Sequence, residues 1–102
     1  MLQRRKPEDK APAATVTREV TVTNQLGIHA RPAAAFVRLA NKFESDIIIE
    51  KDGEQVNGKS IMGLLMLGAA HGSRLKLIAT GRDAEAAIKS LEELFASKFG
   101  EN

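Results

Sequence analysis

Polar and apolar residues change period several times along the 102-residue chain, and each change marks an element. Residues 18–23 alternate, setting Val20 and Val22 on one face of a half-buried strand. After a turn over residues 24–28, the period becomes helical from Ala30 to about Lys42. Ala33, Phe36, Val37 and Ala40 form one stripe, while Arg38, Asn41 and Lys42 fall mostly away from it. The β-branched run Asp46-Ile47-Ile48-Ile49-Glu50 predicts a second strand. Lys51-Asp52-Gly53-Glu54 supplies a hairpin turn into a short third strand over residues 55–57.

Ser60 can cap a short apolar helix over residues 61–67, closed by Gly68. A fourth strand over residues 74–80 follows the turn His71-Gly72-Ser73. Its inward face is either Leu75, Leu77 and Ala79 or the offset set centred on Ile78; alternation permits both. The last helix starts near Asp83, a candidate cap, with Glu85 in the favourable first turn. Its buried stripe is Ala84, Ala87, Ile88, Leu91, Leu94 and Phe95, ending before Gly100. The order β-α-β-β-α-β-α, with helices apolar on one side, predicts an α+β fold. Four antiparallel strands carry the helices on one face, with a modest core that needs no metal or disulfide.

Composition narrows the function classes. One small domain is expected, too small for a cleft between two domains. The chain has no cysteine, hence no disulfide framework and no thiolate metal site. It has no tryptophan or tyrosine and four phenylalanines, which argues against a base-stacking nucleic-acid platform. No apolar run approaches the roughly 20 residues that cross a bilayer, and no hydrophobic signal region follows the basic start. A cytoplasmic protein without membrane insertion is the expectation. The formal charge of +2 is local: residues 1–16 hold Arg4, Arg5, Lys6 and Lys10 against Glu8 and Asp9. The remainder is neutral, so a disordered basic extension, 1–16, is expected to precede a domain over 17–100. Weak contact of that tail with nucleic acid is the remote reading; a solubilising extension is the plain one.

One stretch concentrates the chemistry: Leu26-Gly27-Ile28-His29-Ala30-Arg31-Pro32-Ala33. Gly27 permits a sharp bend, and Pro32 fits only the first helical turn, so a helix should begin at or just after His29. The unpaired N–H groups of Ala30 and Arg31, with the Arg31 guanidinium, then make a receptor for a dianion. An imidazole in that receptor suits a phosphoryl acceptor. The positive helix end disfavours imidazolium, so a neutral ring with a free lone pair is expected at pH 7. One ring nitrogen would attack while an acceptor that the sequence does not name orients the other. The plain alternative is a helix-capping histidine without chemistry, and Arg31 and Pro32 at these spacings weigh against it.

Other sites find little support. His71, the only other histidine, reads as a loop residue, and no metal-ligand spacing exists. There is no nucleophile elbow and no phosphate-binding loop. The segment Gly58-Lys59-Ser60-Ile61-Met62-Gly63-Leu64-Leu65-Met66-Leu67 is more informative. So apolar a helix either exposes Met62, Leu65 or Met66 while Leu64, Leu67 and Ile61 point inward, or is covered on two faces by neighbours. An exposed methionine-rich patch suits several partners. Ser60 is an ordinary cap; phosphorylated, it would put negative charge on that surface, with Lys59 partly offsetting it.

The two motifs together, in this order and separation, resemble the histidine-containing phosphocarrier (HPr) family of the bacterial phosphoenolpyruvate-dependent phosphotransferase system, including its nitrogen-branch relative. The resemblance covers about residues 17–100. It implies an open-faced β-sandwich of four antiparallel strands and three helices. It implies that His29 is phosphorylated on Nδ1 by enzyme I, that Arg31 contacts the phosphoryl group, and that the group passes to an EIIA-type protein. Ser60 matches the serine modified by the HPr kinase/phosphorylase in lineages that have it. Ile61, Met62 and Leu65 fall on the docking patch. The family needs no cofactor and acts as a monomeric carrier rather than a classical enzyme. A regulatory interaction protein controlled through Ser60, without productive relay, is the alternative reading.

Overall fold

The computed structural model describes residues 14–101. The expected basic extension lies outside the described residues as far as residue 13. The elements are β1 (Thr15–Thr21), α1 (Ala30–Ala40), β2 (Asp46–Lys51), β3 (Glu54–Asn57), α2 (Ile61–Leu67), β4 (Arg74–Thr80) and α3 (Ala84–Ala96). A short 3-10 turn, Lys98–Gly100, follows. The four strands form one antiparallel sheet in the order β1-β4-β2-β3. This is the α+β, open-sheet arrangement that the periodicities predict.

Register resolves the face that alternation left open. Ile49 sits opposite Leu77, Ile47 opposite Ala79 and Val20 opposite Leu75, so these residues share the helix-covered face. Leu75, Leu77, Ala79, Ile47 and Ile49 are all buried, whereas Ile48 and Ile78 are only partly covered. From the helices come Phe36 of α1, Leu64 of α2 and Ile88 and Leu91 of α3, each almost fully enclosed. Burying a side chain of this size is worth about 1.5–3 kcal/mol, and one contiguous core collects them. The Asp52-Gly53 hairpin has φ of 52° and 84°, the positive values a tight primed turn needs.

Three local expectations need correction. β1 occupies residues 15–21 rather than 18–23. Val22 lies beyond it, buried, and still bonds across the sheet edge: its N–H donates to Ser73 O and its carbonyl accepts from Gly72 N. Ile61 is exposed rather than inward, because only Leu64 and Leu67 of α2 reach the core. Asp83 precedes α3 without capping it through its side chain. Its carboxylate instead accepts the Glu44 and Ser45 N–H groups at 2.8 and 3.0 Å and the Ser45 hydroxyl. Those bonds tie the α1–β2 loop to the start of α3 and hold the carboxyl below its ordinary value, the Ser45 hydroxyl contributing most.

Candidate functional site

The loop before α1 is fixed from three sides. Gly27 has φ +69°, and a Cβ there would stand 2.6 Å from Ala69 O and 2.9 Å from Ala70 Cα, so only glycine fits. Ile28 N donates to Ala69 O at 2.8 Å, joining this loop to the segment that follows α2. Asn24 is fully buried beneath the turn. Its carbonyl accepts from Gly27 N, and its side-chain amide donates to Gly27 O at 2.7 Å.

His29 then takes the N-cap position with an extended backbone, φ −92° and ψ −165°. Its carbonyl accepts from Ala33 N, which starts the helix, but its side chain makes no cap bond. The Ala30 and Arg31 N–H groups meet no acceptor among the described residues. Pro32, third in the helix, lacks an N–H where none would be used. The helix opening is therefore unfilled.

The imidazole is neither buried nor free: its side chain is 38% exposed. Nε2 lies 3.0 and 3.2 Å from the two carboxylate oxygens of Glu101. A carboxylate only accepts, so Nε2 carries the proton and a neutral ring has its lone pair on Nδ1. Nδ1 has no hydrogen-bond partner among the described residues. Arg31 is exposed, forms no ion pair among the described residues, and lines one shallow groove with His29, Gln25, Leu26 and Glu101. His29, with Nδ1 unpartnered, and Arg31, with its guanidinium uncommitted, thus share one groove at the start of α1, where two amides meet no acceptor among the described residues.

Glu101 supplies the acceptor at Nε2, a contact that sequence reasoning did not name. It reaches His29, 72 positions away, because the chain reverses after α3. Lys98 and Phe99 both adopt φ 57°, and Gly100 φ 75°. Left-handed geometry costs an L-residue about 1–2 kcal/mol. The Phe99 ring offsets that cost by packing edge-on against Phe95 at 4.8 Å, and Phe95 in turn meets Phe36 of α1 at 6.1 Å.

The second motif forms a separate feature. Ser60 is the N-cap of α2, its hydroxyl accepting from Gly63 N at 3.0 Å. Gly68 closes that helix with φ 65°, as expected. The ammonium of the neighbouring Lys59 donates to Phe43 O at 2.7 Å, which anchors that side chain beside the loop before β2. Ile61, Met62 and Leu65 are all exposed, Met62 by 67%, and so are Met66 and Leu26. No group of three or more His, Cys, Asp or Glu residues that could hold a metal occurs among the described residues. No helix among them is long and apolar enough to cross a membrane.

Comparison with known proteins agrees with this architecture. Residues 16–97 match the family model described as the PTS HPr component phosphorylation site. The chain is 45% identical over 86 residues to the phosphocarrier protein HPr of Treponema pallidum, covering 84% of this chain and 98% of that one. It is 49% identical over 76 residues to the HPr-like protein Crh of Bacillus subtilis, covering 74% of this chain and 89% of the relative. The crystal structure of HPr-C-His from Thermoanaerobacter tengcongensis superposes with a TM-score of 0.83 at 50% identity, over 85% of this chain and 98% of that one. With four-fifths of its length matched and its sheet and helices in the same arrangement, the chain belongs to the HPr family of phosphocarriers of the phosphotransferase system.

Proposed function

We propose that the chain takes a phosphoryl group from enzyme I onto Nδ1 of His29 and delivers it to an EIIA-type acceptor. The single observation that carries this reading is the engagement of Nε2 by Glu101, which leaves the lone pair of a neutral ring on Nδ1 beside an unfilled helix opening. In the transfer, the Nδ1 lone pair forms a bond to phosphorus. The bond from phosphorus to the donor breaks, and its electron pair stays with the donor. The Nε2 proton remains in place, and one phosphoryl group changes hands. In the onward transfer a nucleophile of the downstream acceptor bonds to phosphorus, and the Nδ1–phosphorus bond breaks with its electron pair returning to Nδ1.

The phosphoryl oxygens are bound by the Ala30 and Arg31 amides and the Arg31 guanidinium. A charge at a favourable helix terminus gains up to about 2 kcal/mol, enough to hold the group without trapping it. Docking falls to Ile61, Met62 and Leu65, whose exposure supports that role. Ser60 is the regulatory position, a substrate for an HPr kinase/phosphorylase: a phosphate there keeps the cap acceptor yet places about two negative charges among the docking side chains. An interaction protein controlled through Ser60 alone would leave the open His29 site without a use.

Incubation with phosphoenolpyruvate and enzyme I should give an acid-labile, base-stable phosphoprotein, and His29→Ala should give none. A protein that stays unlabelled, or that labels equally without His29, overturns the proposal.

A further inference from the structure

Asn24 presents an imbalance that the turn does not explain. The residue is fully enclosed, and its Oδ1 has no hydrogen-bond partner among the described residues. An orphaned buried carbonyl is unfavourable, and an apolar side chain of similar size would avoid it. What the side chain accomplishes lies at its other end. Nδ2 donates to Gly27 O at 2.7 Å and to Glu101 Oε1 at 3.1 Å. Both partners are acceptors, so the amide is oriented with its nitrogen toward them and its oxygen inward.

Glu101 Oε1 is shared: it takes the Asn24 amide and lies 3.2 Å from His29 Nε2, while Oε2 lies 3.0 Å from the same nitrogen. A glutamate carboxylate ordinarily stays in solvent, where it samples many positions. Here its side chain is only 12% exposed, held by the buried amide on one side and the ring on the other. The left-handed turn at Lys98 and Phe99, with Phe99 against Phe95, delivers it from the far end of the molecule.

We propose that Asn24 and Glu101 are positioning residues for phosphoryl acceptance: the buried Asn24 amide clamps the Glu101 carboxylate onto Nε2 and thereby aims Nδ1 at the incoming group. The inference rests on His29 as acceptor. Asn24 touches neither the phosphoryl group nor the reacting nitrogen. It acts only through Glu101, so removing either member should remove the same contribution.

The test is a double-mutant cycle on the full chain with phospho-enzyme I, reading the rate of phosphoryl acceptance by rapid quench. Glu101→Ala and Asn24→Ala should each slow acceptance about five- to tenfold, in keeping with one charge-assisted bond. The double variant should be no slower than the slower single one. The accompanying signature is the His29 Hε2 proton in long-range proton–nitrogen spectra. It should be observable at neutral pH in the parent chain, and broadened by exchange in both single variants. Multiplicative losses in the double variant, or an Hε2 signal unchanged in Asn24→Ala, overturn the clamp. If Asn24→Ala fails to fold, Glu101→Ala decides alone: its acceptance rate and Hε2 signal must both change. A parent chain that labels normally while all variants keep its rate refutes this inference only; a parent chain that is not labelled on His29 refutes the function on which it rests.

Discussion

The starts of α1 and α2 are built from similar parts and completed in opposite ways. At α2, the Ser60 hydroxyl accepts the Gly63 N–H, and the helix satisfies itself. At α1, His29 occupies the same N-cap position but turns its ring away, to Glu101. The Ala30 and Arg31 amides are left without an internal acceptor among the described residues. A closed helix start is a structural joint; an open one leaves directed donors and a positive terminus for something from outside. Substitution at the two positions should therefore separate function from stability.

The largest effect belongs to the open end. His29→Ala should abolish phosphoryl acceptance altogether, while thermal unfolding shifts little, because the ring closes no cap and its pairing with Glu101 is partly solvated. Such pairs are worth about 1 kcal/mol at most. Labelling and calorimetry on one preparation check both halves, and a variant that loses activity by unfolding would erase the contrast. Next comes Arg31→Ala. Removing a donor aimed at a transferring charge costs on the order of a hundredfold to a thousandfold in rate. Quench-flow measurement should find that loss while leaving the melting temperature in place.

Much of this was written locally in the chain. Gly27, Pro32 and the helical spacing after them place the opening of α1 at or just after His29, because each acts through its own φ or its missing N–H. Ser60 and Gly68 do the same for α2. The inward faces of β2 and β4 became definite only through register, since Ile47, Ile48 and Ile49 are equally apolar. What stayed illegible acts at a distance. Glu101 meets His29 through a left-handed turn at Lys98 and Phe99, residues that do not ordinarily announce one. Asp83 looks like a cap in sequence, yet its acceptors are drawn across to Glu44 and Ser45. Leu26 escaped notice because a lone leucine in a turn has no period to reveal its exposure.

A smaller effect sharpens the comparison from the closed side. Ser60→Ala deletes the acceptor for Gly63 N and should cost about 1 kcal/mol in stability, the usual value of an N-cap. Acceptance of phosphate at His29 should remain near the parent rate, because the two helix starts do not share a bond. Denaturant unfolding alongside the labelling assay tests this. A comparable loss of transfer in Ser60→Ala would mean that the two ends are coupled through the segment at Ala69 and Ala70, where Ile28 is bonded.

The smallest predicted effect concerns the third helix start, where the cap residue gives its acceptors to another element. Bonds from the Ser45 hydroxyl and the Glu44 and Ser45 amides favour the ionised form of Asp83, so its folded pKa lies below the ordinary 3.8. An unfolded chain consequently takes up this proton first as the solution is acidified. The contribution of Asp83 to stability is therefore complete above the unfolded value and is lost as pH falls through the lower folded one. Melting temperatures followed from pH 7 down to about pH 2 should decline across that acid window. In Asp83→Asn the decline should be shallower, since the amide retains one acceptor but no longer titrates. Identical acid limbs in the two proteins would show that the carboxylate at this helix start is held no more firmly in the folded chain than in the unfolded one.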